Sequence, residues 1–92
     1  MTSQAVTVVN QLGMHARAAA KFVHLATRYQ ARVTVARDRR KMDGKSIMGI
    51  LLLAAARGST ITISADGTDE HDAVAALVAL VRSGFAEDAC SV

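Results

Sequence analysis

The segment Gly13-Met14-His15-Ala16-Arg17-Ala18-Ala19-Ala20 holds the residues best spaced to do chemistry. Ala19, Phe22, Val23 and Ala26 follow at helical spacing, which predicts a helix from about His15 to about Arg28. His15 then stands at the helix start, where backbone N–H groups lack partners and a partial positive charge gathers. Histidine caps helices less well than Ser, Thr, Asn or Asp, so its place there points to another duty. Phosphoryl chemistry suits the position. The positive helix end disfavours an imidazolium, and a neutral imidazole keeps a lone pair that can attack phosphorus. The product is an anion, and a helix N-terminus binds anions. Arg17 can fork two hydrogen bonds to phosphoryl oxygens. Gly13 lets the chain turn tightly and leaves His15 accessible. The plainer reading is a surface histidine that ends a loop.

Arg17, Lys21, His24 and Arg28 fall within an arc of about 60° on that helix, a cationic stripe starting beside His15. The wet face of an amphipathic helix would look the same. The histidines stand at 15, 24 and 71, which is no ligand spacing for zinc, and no metal is expected. Gly44-Lys45-Ser46 resembles the end of a phosphate-binding loop, but Arg39 occupies the place of the first glycine, so nucleotide binding is rejected.

A second short helix is expected from Ser46 to Ala56, with Ser46 as its cap and Gly58 as its stop. It is apolar all round. One face, around Ile50, Leu53 and Ala54, can be buried; Ile47, Met48, Leu51 and Leu52 then stay at least partly exposed, as an interface would. A phosphate on Ser46 would suit the helix end yet disturb a neighbouring interface, with Lys45 and Arg40 near enough to soften it.

Around these sites the chain reads as strands at 4–9, 32–36, 40–42 and 60–65 and a last helix from Thr68 or Asp69 to about Ser83. Val74, Leu77, Val78, Val81 and Phe85 form the buried stripe of that helix. The order βαββαβα with one-sided strands predicts an α+β fold, an antiparallel sheet with helices on one face. The 92 residues fit one domain, with a core over about 4–87 and a flexible tail at 88–92. Hydrophobic residues make up 51% and charged residues 21%, a globular composition. The net charge of +3 is mild, but residues 1–46 carry nine basic side chains against two acids. With only Phe22, Tyr29 and Phe85 as aromatics and no clamp loop, a nucleic-acid surface is not expected. Cys90 alone gives no disulfide framework and suits a reducing cytosol. Met1-Thr2-Ser3-Gln4 does not read as a secretory signal, and no apolar run is long enough to span a membrane.

Three segments carry a resemblance. Asn10-Gln11-Leu12-Gly13-Met14-His15-Ala16-Arg17, Gly44-Lys45-Ser46-Ile47-Met48-Gly49 and Asp66-Gly67-Thr68-Asp69-Glu70 together resemble the HPr family of phosphocarrier proteins. The resemblance runs from about residue 4 to residue 87. It implies an open-faced β-sandwich, four antiparallel strands with three helices on one side. It implies a cytoplasmic, monomeric relay of the phosphoenolpyruvate-dependent phosphotransferase system, without a cofactor and not itself an enzyme. Enzyme I would phosphorylate Nδ1 of His15, and an enzyme IIA domain would take the group on. Arg17 matches the family's active-site arginine, with the backbone of Ala16, Arg17 and Ala18 beside the phosphoryl group. Ser46 matches the site of the family's ATP-dependent HPr kinase. Lys21, His24, Ile47, Met48 and Leu51 are expected to meet partners. The family usually has proline where Ala18 stands; alanine restores a backbone N–H and gives up the fixed φ. A carrier of the regulatory, nitrogen-related branch would share all these residues. An interaction module using Ser46 and the apolar patch is a further alternative.

Overall fold

The computed structural model describes residues 1–86. The tail at 88–92, including Cys90, lies outside the described residues. The strands are β1 (Thr2–Thr7), β2 (Arg32–Arg37), β3 (Arg40–Asp43) and β4 (Thr60–Asp66). The α-helices are α1 (Ala16–Ala26), α2 (Ile47–Leu52) and α3 (Glu70–Arg82), in the order βαββαβα. One antiparallel sheet runs β1-β4-β2-β3.

Register explains why helices cover one face only. Val6 lies opposite Ile61, Val35 opposite Ile63 and Val33 opposite Ala65, and all six are buried. Their neighbours in sequence, such as Ala5, Thr7 and Thr60, point the other way and stay wet. Ala18, Ala19, Phe22, Val23 and Ala26 of α1 and Ala73, Val74, Leu77, Val78 and Val81 of α3 close the core. Phe22, Ile50, Leu53, Leu77 and Phe85 are fully buried, each stabilising the fold by about 1.5–3 kcal/mol. Among the described residues no helix is long and apolar enough to cross a membrane.

Three boundaries and one cap differ from expectation. The first helix ends at Ala26 rather than near Arg28, because the Arg28 and Tyr29 N–H groups donate to Leu25 and Ala26, only three residues back. The first strand is Thr2–Thr7, not 4–9, because its pairing with β4 begins at Thr2 opposite Ala65. Val8 is buried but bonds outside that ladder, to Ser59 and Gly58. The second helix ends at Leu52 rather than near Ala56. Leu53 is its C-cap, and Ala54 turns the chain at φ +51. Arginine side chains take up its last carbonyls: Arg40 Nη1 donates to Leu52 at 2.9 Å, and Arg37 Nη1 donates to Leu53 at 3.0 Å and to Ala54 at 3.3 Å. Gly58 sits farther on, in the turn before β4. Asp69 stands at the N-cap of α3 but makes no side-chain cap bond. Its carboxylate instead accepts from the backbone N–H groups of Gln30 and Ala31, at 2.8 and 2.9 Å, and so ties α3 to the loop after α1.

Candidate functional site

The loop before α1 is built to hold one residue still. Asn10 Nδ2 donates to the Gly13 carbonyl at 2.6 Å, and Gly13 N–H donates back to the Asn10 carbonyl at 3.1 Å. Gly13 has φ +68, a conformation glycine adopts at no steric cost. A Cβ there would stand 2.6 Å from the Ala55 carbonyl oxygen. Met14 is buried, and its N–H donates to that same carbonyl at 2.9 Å. The chain leaving α2 therefore braces the turn from which His15 emerges.

His15 is the N-cap of α1, with extended backbone at φ −75 and ψ 179. Its carbonyl accepts the first helical bond, from Ala19 at 2.8 Å. Its side chain also caps: Nδ1 accepts from the Arg17 N–H at 3.2 Å. An accepting Nδ1 carries a lone pair, which assigns the ring proton of a neutral imidazole to Nε2. That lone pair points at the Arg17 N–H of the first turn. Ala16 and Arg17 are exposed and His15 is half-buried, whereas the Ala18 side chain is buried and anchors the turn. An anion attached at Nδ1 would stand at the N-terminus of α1, beside the Arg17 N–H.

Farther along α1, Lys21 is half-buried. Its Nζ donates to the Phe85 carbonyl at 2.8 Å, so the cationic stripe is partly engaged with the fold. His24 is exposed. With Leu25, Arg28, Leu80 and Phe85 these two line a hollow of about 330 Å³.

Ser46 is the N-cap of α2, and its Oγ accepts from the Gly49 N–H at 3.1 Å. Ile47, Met48 and Leu52 are exposed, Met48 to 69%, and Leu51 is half-buried, while Ile50 and Leu53 face the core. Ala54, expected on that inner face, is exposed because the helix has already ended. Lys45 and Arg40 do not attend Ser46 as expected. Lys45 Nζ donates to the Tyr29 carbonyl at 2.7 Å, and Arg40 caps the far end of α2. Sequence reasoning missed Leu12, which is 71% exposed in the turn before His15. A large apolar side chain in an otherwise polar turn was the signal.

The family model of the PTS HPr component phosphorylation site matches residues 2–83. The chain belongs to the HPr family. The HPr match covers everything from β1 through α3 and includes the His15 turn and Ser46. Phosphocarrier protein HPr of Cupriavidus necator is 46% identical over 87 residues, covering 95% of this chain and 98% of that protein. Phosphocarrier protein NPr of Shewanella violacea is 40% identical over 82 residues, covering 89% and 90%. The crystal structure of HPr-C-His from Thermoanaerobacter tengcongensis superposes with a TM-score of 0.90 at 40% identity, covering 94% of this chain and 97% of that one. The four-stranded antiparallel sheet with its three helices is thus the HPr fold, as the sequence resemblance implied.

Proposed function

We propose that this chain is a phosphohistidine carrier of the phosphotransferase system. It accepts a phosphoryl group from phosphorylated enzyme I on Nδ1 of His15 and passes it to an enzyme IIA domain. The observation that carries the reading is the Nδ1 lone pair held at the start of α1, accepting from the Arg17 N–H at 3.2 Å. In the acceptor step this lone pair forms a P–N bond while the bond between phosphorus and the donor breaks, and the donor leaves with that electron pair. The N–H that had bonded Nδ1 turns to a phosphoryl oxygen, joined by those of Ala16 and Ala18. The Arg17 guanidinium offers a forked contact from solvent. Few contacts, all near solvent, hold the group without trapping it, as a relay requires.

Ile47, Met48 and Leu51, with Lys21 and His24 across α1, form the face that meets enzyme I and IIA domains. The carrier is a cytoplasmic monomer, so that one face can meet several partners in turn. Ser46 is the regulatory site: phosphorylation by an HPr kinase would place charge beside exposed Ile47 and Met48 and weaken that docking. The likeness to NPr supports a second reading, a carrier whose acceptor is a regulatory IIA rather than a sugar-permease IIA.

The test is phosphorylation by phosphoenolpyruvate and enzyme I, followed by intact mass before and after mild acid. The expected result is one acid-labile phosphoryl group, absent from His15→Ala. An unmodified parent, with enzyme I active on another carrier and Ala18→Pro equally inert, overturns the proposal. Transfer onward to purified IIA domains of the two classes separates the two readings.

A further inference from the structure

The basic excess of the first half is not absorbed by the His15 site. Arg37, Arg39, Arg40 and Lys41 crowd the β2–β3 hairpin, with Asp38 as the only acid among them. Arg37 lies directly opposite Arg40 across the ladder, a like-charge pair that destabilises a sheet unless something compensates it. The carbonyls of Leu52, Leu53 and Ala54 compensate in part. These bonds engage only the Nη1 ends, so each five-donor fork keeps further donors. Arg39 is exposed, and among the described residues none of the three arginines forms an ion pair, Asp38 included. Arg37, Asp38, Arg39, Arg40 and Ala54 line a surface cavity of about 490 Å³. That is within the roughly 300–1,000 Å³ usual for small-molecule sites.

We infer that the Arg37–Arg40 cup binds a small phosphorylated metabolite, a compound with two or more anionic oxygens clustered on phosphate. Three guanidiniums around a concave space match multiply charged phosphate in both charge and fork geometry. The cup does not overlap His15, so it is independent of the carrier reading. Its occupant would still be felt near that site. Arg37 and Arg40 hold the end of α2 and the turn through Ala54, and the residue after that turn, Ala55, accepts from Met14 just before His15.

The experiment is an amide and arginine-side-chain NMR titration of the full chain with inorganic pyrophosphate, at ionic strength held constant with chloride. Arg39→Ala is the diagnostic variant, because Arg39 is exposed and its side chain forms no hydrogen bond or ion pair among the described residues. The expected result is saturable shifts confined to Arg37–Lys41 and Ala54–Ala55, with Arg39→Ala weakening binding about fivefold or more, the loss of one charge-assisted contact. Arg39→Lys should restore only part of it, since a lysine cannot make the fork. Shifts spread over every basic residue overturn the proposal. So does equal binding by Arg39→Ala. A hexaglutamate peptide that displaces pyrophosphate at lower concentration also overturns it, in favour of an acidic protein partner.

Discussion

Substituting Gly13 by alanine tests the link between α2 and the His15 turn. At φ +68 the new residue must hold a left-handed conformation, which costs about 1–2 kcal/mol for an L side chain. The added Cβ would stand 2.6 Å from the Ala55 oxygen and 3.0 Å from the Ala56 Cα, and both are backbone atoms. Relief requires the two loops to part, which adds about 1–3 kcal/mol of overpacking strain. Parting also stretches the 2.9 Å bond from Met14 to Ala55, worth about 1 kcal/mol. Reduced freedom of the unfolded chain returns about 0.4–1 kcal/mol. The net loss is about 2–5.5 kcal/mol, read as a lower urea midpoint at unchanged slope. Gly58→Ala is the control. It shares the positive φ, at +88, but has nothing within 4 Å of its added Cβ, so it should lose about 1.6 kcal/mol or less. Below its unfolding transition Gly13→Ala should also accept phosphate more slowly, because His15 is displaced with the turn, whereas Gly58→Ala should not. Equal stability losses in the two variants, with transfer unchanged in both, would refute the bracing of His15 by α2.

Ala54→Gly should stabilise the protein by about 0.5–1 kcal/mol, because Ala54 is exposed and sits at φ +51, with the gain visible as a higher Tm. Ser46→Ala should cost about 1 kcal/mol in urea unfolding, since the cap on the Gly49 N–H is lost. Acid should destabilise the native state through Glu70. The Thr2 hydroxyl, the terminal ammonium and the Gly67 N–H hold its carboxyl at about 2, down from 4.5. A lowered folded value means that this contribution is complete above pH 4.5 and is lost as the pH falls toward 2. The difference between parent and Glu70→Gln in thermal melts should therefore shrink across that window.

Most of the fold could be read from the chain because local signals and tertiary demand agree. The period of Ala19, Phe22, Val23 and Ala26 and the alternation of Ile61, Ile63 and Ala65 are also the buried faces. What escaped is set by contacts distant in sequence. The run Leu53 to Ala56 consists of good helix formers, yet α2 ends before it, because Arg37 and Arg40 donate to the last carbonyls and the Ala55 carbonyl accepts from Met14. Asp69 reads as a helix cap, but the backbone of Gln30 and Ala31 claims its carboxylate. The Gln30 N–H is the main reason its carboxyl lies below the usual aspartate value. At the candidate site the place of His15 at the start of α1 was legible, because the helical period that follows it marks that end locally. The Asn10 clasp and the Ala55 brace were not, since each needs the folded loop.

The pairing of β1 with β4 has a consequence for how the chain is made. β1 ends at Thr7, and its partner strand β4 begins at Thr60, 53 residues later. On a ribosome adding about 5–20 residues per second, the first strand waits roughly 3–10 s before its partner exists. α1, by contrast, can form as soon as its own residues emerge. The nascent chain thus displays a β-branched segment with unmet backbone donors well before the sheet can close. Synthesis from the N-terminus leaves the docking of β1 until late, so chaperone dependence and refolding rate should respond most to changes in β4.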